Sequence, residues 1–255
     1  RVVTKKLEER GAIVVGILHK ECNLLNWSET IDAFEKHKPD YCVHAAGYNG
    51  NIRFNKLYPS DIFYNTTTMG LNVLKACAIT GVKKVITPLA SRQLCKQHDI
   101  SAVCTIFNTA YGPDDSFDIN KTKVVGGLIK KFVTAVENND QEVECWGTGR
   151  PRRELIYCED AAEGIIQALE KYSDVKQPIN IGYNEDISIK ELASMIADLT
   201  GFQGKITWDS TKPDGQYRKL LDPSRMKDYE IFIKDRTSLK DGLLKTIEWY
   251  KKNEN

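Results

Sequence analysis

Apolar residues in this chain fall into short unbroken runs separated by stretches with helical spacing. Residues 12–18 (AIVVGIL) form a continuous apolar run of the kind left by a parallel strand buried on both faces. The run follows a charged stretch, 1–10, that ends at Gly11 and reads as a helix without its beginning. Residues 28–36 predict a helix capped by Ser28, and 40–46 (DYCVHAA) a second strand running into a small-residue turn. A long helix over 60–80 closes at Gly81, and 83–89 (KKVITPL) is a third strand. Strands alternating with helices predict an α/β fold, a parallel sheet covered on both faces.

The rhythm then breaks. Residues 101–107 (SAVCTIF) are a fourth buried strand, and only about a dozen residues separate it from the third, too few for a parallel crossover with its helix. Residues 92–99 supply only the last turns of such a helix, so a segment is expected to be absent from the residues given between Ser91 and Arg92, the alternative being a natural deletion. Past Asn108 the composition turns polar, with a loop over 111–118, a helix over 124–138, a short strand over 142–146 and an amphipathic helix over 160–171. Residues 178–182 return to the main sheet, 188–200 form a capped helix, 205–208 a strand, and 239–252 the last helix. Two interleaved units are expected: 1–111, and a lobe over 112–255 from which 153–183 rejoin the main sheet.

Composition narrows the ligand classes. With 36 basic and 35 acidic residues, no general field favours nucleic acid or an anionic membrane, so any anionic ligand must be held locally. Seven cysteines, never spaced as C-x-x-C, argue against a disulfide framework or a zinc site; no metal is expected, and a reducing cytoplasm fits. No apolar run approaches the roughly 18 residues of a spanning helix, and the first residues carry no signal-peptide pattern.

Ligands of open α/β sheets sit beyond the carboxyl ends of the strands, where Ala45, Ala46 and Gly47 let backbone approach closely. His44 reads as a packed, satisfied strand-end residue. His19 and Lys20 stand at the end of the preceding strand in place of the acid that would bond an unphosphorylated ribose. That favours NADP over NAD; the alternative is a solvated basic pair.

Four segments, in order, carry a family resemblance: 38–52 (KPDYCVHAAGYNGNI), 111–131 (YGPDDSFDINKTKVVGGLIKK), 143–157 (VECWGTGRPRRELIY) and 212–222 (KPDGQYRKLLD). Together they resemble the extended short-chain dehydrogenases, most closely the GDP-fucose synthase group. The resemblance implies a Rossmann-like, doubly wound parallel sheet with a smaller C-terminal substrate lobe. It assigns dinucleotide binding to 1–111 and implies NADPH-dependent reduction of a GDP-linked 4-keto-6-deoxy sugar by a homodimer. It sets Asn23 and Leu24 against the adenine and makes Asn108 and Thr109 contacts to cofactor or sugar.

The same family works with a Tyr-x-x-x-Lys pair on a helix and a Ser at the preceding strand end. The pair would fall between Ser91 and Arg92; Ser91 is the candidate hydroxyl, with Ala90 competing for that register. Lys123 stands where the family has a His that inverts carbons next to the ketone. A lysine titrates far above neutrality, so epimerisation is open, and Lys123 reads equally as a phosphate contact or a surface charge. Arg153 matches a family arginine suited to phosphate or ribose, Lys131 adds charge, and Trp146 offers a flat face to sugar or base. Asp214, Arg218 and Lys219 resemble a loop closing over the guanosine end. Salt bridges to Glu154 or Asp222 are the plain alternative for these cations. Two other readings keep the fold: a 4,6-dehydratase or 4-epimerase holding NAD, and a catalytically silent binding protein.

Overall fold

The computed structural model describes residues 1–87, 92–118, 122–171 and 177–254. In chain order its elements begin with α1 (Val2–Glu9), α2 (Trp27–His37), β1 (Tyr41–Val43), α3 (Ile52–Leu57), α4 (Pro59–Thr80), β2 (Lys84–Thr87), α5 (Arg92–Gln97), β3 (Ser101–Ile106) and β4 (Thr109–Tyr111). There follow α6 (Val124–Asn138), β5 (Glu142–Trp146), β6 (Arg152–Arg153), β7 (Leu155–Tyr157), α7 (Cys158–Lys171), β8 (Ile179–Asn180), β9 (Ile187–Ser188) and α8 (Ile189–Thr200). The chain ends with β10 (Lys205–Asp209), β11 (Arg218–Lys219), α9 (Arg225–Asp228) and α10 (Leu239–Asn253).

Period-2 alternation decides how the main sheet, of order β1-β2-β3-β8 and parallel throughout, is covered. Cys42, Val85 and Ala102 share a row facing a core made with Phe34 of α2, Leu74 and Cys77 of α4 and Cys95 of α5. Val43, Ile86 and Val103, one residue on, face the opposite core with Ile165 and Leu169 of α7. α1 is moored to α7 by Arg10, whose guanidinium pairs with Glu163 and Glu170 at 2.7 Å each.

Residues 12–18 correct the sequence reading. They form no strand, and Ile13 (99% exposed), Val15, Ile17 and Leu18 face solvent. A strand exists only against a neighbour, and the outer edge of β1 is unpaired among the described residues. The first helix cap moves as well: Asn26, not Ser28, accepts from the amides of Ser28 and Glu29.

β2 and β3 are parallel neighbours, and the helix described between them is the six-residue α5. The segment expected to be absent between Ser91 and Arg92 falls where residues 88–91 lie outside the described residues. Asp99, at φ 51°, turns the chain into β3. Ser91 and Ala90 lie outside the described residues.

The second lobe packs α6, α8 and α10 around Phe132, Leu192, Ile196, Leu243 and Ile247. β5 pairs with β10, and β6 lies between β11 and β9. α8 is sealed by a capping box in which Ser188 accepts from the Glu191 amide while Glu191 reaches back to the Ser188 amide. β8 rejoins the main sheet beside β3.

Candidate functional site

The two lobes meet at Glu154, 1% exposed, between β6 and β7. Its Oε1 accepts from the amides of Tyr183 and Asn184 at 2.8 and 3.0 Å; its Oε2 accepts from Asn108 Nδ2 and the Leu221 amide at 2.8 and 3.0 Å. One carboxylate thereby fixes the carboxyl ends of β3 and β8 to the strand that carries Arg153. Asn108 is spent on this junction, with Thr109 beside it opening β4.

Arg153 is 8% exposed and makes one hydrogen bond, Nη1 to its neighbour's carbonyl at Arg152, at 2.8 Å. It forms no salt bridge among the described residues. Burial pulls its guanidinium below the ordinary pKa, with the Asp214 charge opposing. Lys219, opposite Arg153 in the β6–β11 pairing, is likewise pulled down by burial and then by the charges of Arg153 and Lys123. Two cations, Arg153 and Lys123, thus act on Lys219. Lys123 itself precedes α6 as an exposed residue and opposes the burial that raises the Asp115 carboxyl.

The loop 212–217 closes this side. Asp214 accepts from the Thr148 amide at 2.6 Å and the Thr148 hydroxyl at 2.7 Å, clamping the W-G-T-G turn that follows β5. Gly147 in that turn has φ 81°, and a Cβ there would lie 2.3 Å from Asp214 Oδ1. Gly215, at φ 76°, sits between lobes: a Cβ would meet Ile52 of α3 at 3.0 Å and Arg153 Nη2 at 3.4 Å. The cation cluster therefore opens toward the loop that leaves β1.

The remaining sequence candidates divide. Arg218 is not free for a ligand: it pairs with Asp186, which also takes Arg152 Nε at 2.6 Å. Lys131 Nζ donates to the Glu144 carbonyl at 2.7 Å and lies 5.5 Å from the centre of the exposed Trp146 ring. Ala45, Ala46 and Gly47 are exposed beyond β1, and His19 and Lys20 are exposed in a turn. Asn23 and Leu24 are half-buried; Leu24 packs toward α4 and its carbonyl accepts from Asn72. His44 corrects the sequence reading: it is buried, but its ring makes no hydrogen bond among the described residues. The sequence reading singled out neither Glu154 as the junction nor Ile52 and Gly215 as its neighbours; the only signal was the acid directly after Arg153.

A separate cavity of about 350 Å³ opens at the start of α10, lined by Arg236, Ser238 and Asp241 among others. Two of its polar groups are already paired, Arg236 with Glu185 and Ser238 with Asp241.

A family model described as the NAD dependent epimerase/dehydratase family matches residues 1–93 and 89–182. The two matches meet in the β2–β3 crossover. GDP-L-fucose synthase 1 of Arabidopsis thaliana is 31% identical over 291 aligned positions, more than this chain's 255 residues, covering 98% of the chain and 89% of the relative. Among solved structures, a GDP-6-OMe-4-keto-L-xylo-heptose reductase from C. jejuni superposes with a TM-score of 0.86 at 22% identity, covering 100% of this chain and 94% of that one. A GDP-L-fucose synthetase from Naegleria fowleri bound to NADP gives 0.84 at 22% identity, covering 99% and 90%. The fold is that of these enzymes, an α/β parallel sheet with an added lobe. The chain belongs to the NAD dependent epimerase/dehydratase family, with the GDP-L-fucose synthases among its relatives.

Proposed function

We propose that the protein is an NADPH-dependent reductase acting on a GDP-linked 4-keto-6-deoxy sugar. The observation that carries the reading is Arg153, a buried guanidinium with no salt-bridge partner among the described residues, flanked by Lys219 and Lys123. Cations gathered in a chain of net charge +1, with Asp214 the carboxylate whose charge reaches Arg153, are the local device that a pyrophosphate requires. Arg153 and Lys219 would grip the diphosphate, and Trp146, with Lys131 against its ring, would offer its face to the sugar or base. Lys123, exposed just before α6, is placed for a phosphate or hydroxyl contact. Names of the relatives, a GDP-L-fucose synthase and a GDP-linked heptose reductase, support the same substrate class.

The carboxyl end of the main sheet suits a dinucleotide, with the exposed backbone of 45–47, the buried but unpaired ring of His44, and Asn23 and Leu24 nearby in sequence order. The basic pair His19 and Lys20 suits the extra phosphate of NADP. When bound, NADPH supplies the hydride. Residues 1–111 would hold the cofactor and most of 112–255 the sugar nucleotide. Seven free cysteines support the cytoplasm as the site of action, and no helix among the described residues is long and apolar enough to cross a membrane. A homodimer through α4 belongs to the same reading, since Phe63, Tyr64 and Leu71 stand exposed on it.

One observation favours a second reading. The sole Tyr-x-x-x-Lys in the chain, Tyr172 to Lys176, follows α7 rather than a crossover strand and lies outside the described residues. A chain without a Tyr–Lys pair at the sheet would bind the sugar nucleotide and leave it unreduced. The test is NADPH oxidation by the intact protein with GDP-4-keto-6-deoxymannose, beside calorimetric binding of GDP. Oxidation supports the reductase; binding without oxidation supports the silent binder; no binding of either GDP or the keto sugar removes both.

A further inference from the structure

His44 ends β1 with its amide donating to the Ile86 carbonyl at 2.8 Å, so it continues the strand geometry by one residue. Side chains alternate along a strand, and Cys42 faces the α2, α4 and α5 core while Val43 faces α7. His44 therefore faces the α4 and α5 side. It lies in the row that continues through Thr87 and Cys104, which are paired in register across β2 and β3. This row is the last on that face for β1 and β2, while β3 runs on to Ile106.

The imidazole is 6% exposed, and neither ring nitrogen has a hydrogen-bond partner among the described residues. A buried ring nitrogen without a partner is costly, so the site either holds a group from outside the chain or carries a penalty for nothing. Burial alone lowers the ring's pKa and keeps it neutral near pH 7. A neutral imidazole presents one donor and one acceptor, the complement of a hydroxyl or a carboxamide rather than of a phosphate. Beyond it, Ala45, Ala46 and Gly47 leave the strand end open.

We propose that His44 orients the bound dinucleotide, its ring exchanging a hydrogen bond with a hydroxyl or carboxamide of NADP(H) at the carboxyl end of β1. This rests on the NADP(H) reading above.

The experiment is a titration of the intact protein with NADP⁺ and NADPH, read by calorimetry and by ¹⁵N shifts of the histidine rings. In the wild type, the His44 ring nitrogens shift on saturation. His44→Leu weakens binding by about tenfold, the worth of one hydrogen bond. His44→Gln, which keeps a donor and an acceptor, stays within about threefold of wild type by the same measure. Wild-type binding with unmoved His44 signals, as an ordered water in place of the cofactor group would give, overturns the assignment. So does His44→Leu binding as tightly as wild type. If the wild type binds neither form of the cofactor, the NADP(H) reading itself falls, an outcome separate from the other two.

Discussion

Asn108 Nδ2 donates to Glu154 Oε2 at 2.8 Å, so the residue that leaves the main sheet is held by a carboxylate buried in the second lobe. Both oxygens of Glu154 face donors only, two each. In Glu154→Gln, whichever way the amide is turned, its NH₂ must point at two N–H groups. The expected cost is about 2–4 kcal/mol, the scale of buried donors left unmade. Urea unfolding of wild type and variant measures it, and a loss under about 0.5 kcal/mol would contradict the junction.

That junction marks where sequence reading stops. Helices whose ends are written in local chemistry were legible: Ser188 and Glu191 spell a capping box, and Gly81 at φ 75° closes α4. The sheet was legible as alternation but not as pairing. The apolar run 12–18 has the composition of a buried strand, yet burial depends on a neighbour that no local pattern records. Glu154 and Asp186 were invisible for a related reason, since their partners lie 29–67 and 32–34 residues away in sequence. Arg153 and Lys219 were found through resemblance; their mutual field appears only once β6 and β11 pair.

Arg153 and Arg218 make opposite predictions although both lie in the β6–β11 ribbon. Arg153→Ala should weaken GDP binding by roughly 10- to 150-fold, the range of a charge-assisted contact, and Arg153→Lys should recover only part for lack of the planar fork. Arg218 is committed to Asp186, so Arg218→Ala should lower the unfolding midpoint while changing GDP affinity less than about twofold. Calorimetry with GDP on the two variants separates them. Equal losses of affinity would show that Arg218 also reaches the ligand.

His44 gives a pH signature independent of any ligand. Burial lowers its folded pKa, so near pH 5 to 6 the unfolded chain binds a proton there that the folded chain does not. Its contribution is intact above the unfolded pKa of about 6.5 and is lost as pH falls toward the folded value. Wild type should therefore lose more stability than His44→Leu between about pH 7 and pH 5. Parallel pH profiles for the two proteins would mean that the ring charges freely in the fold.

α4 exposes Phe63, Tyr64 and Leu71 on a 22-residue helix, and the six-residue α5 is too short to screen its length. Burying such a face between two copies would repay roughly 25 cal/mol per Å² of apolar surface. Light scattering should report a dimer for the wild type and a monomer for the double variant Phe63→Glu, Leu71→Glu, with the thermal midpoint of the variant no longer dependent on concentration. A wild-type monomer at high micromolar concentration would remove α4 as a self-association surface.

Residues 12–18 offer the sharpest contrast between composition and placement. Ile13, Val15 and Ile17 are exposed, so a charge introduced there gives up no burial and should change stability by less than about 0.5 kcal/mol. The same charge breaks a short, apolar, uncharged stretch, the composition that promotes association between exposed segments. Val15→Asp should therefore lower dye binding and turbidity on warming while leaving the urea midpoint in place. If the variant instead unfolds several degrees lower, Val15 is packed in solution and the run is a strand after all, paired with a segment that covers the edge of β1.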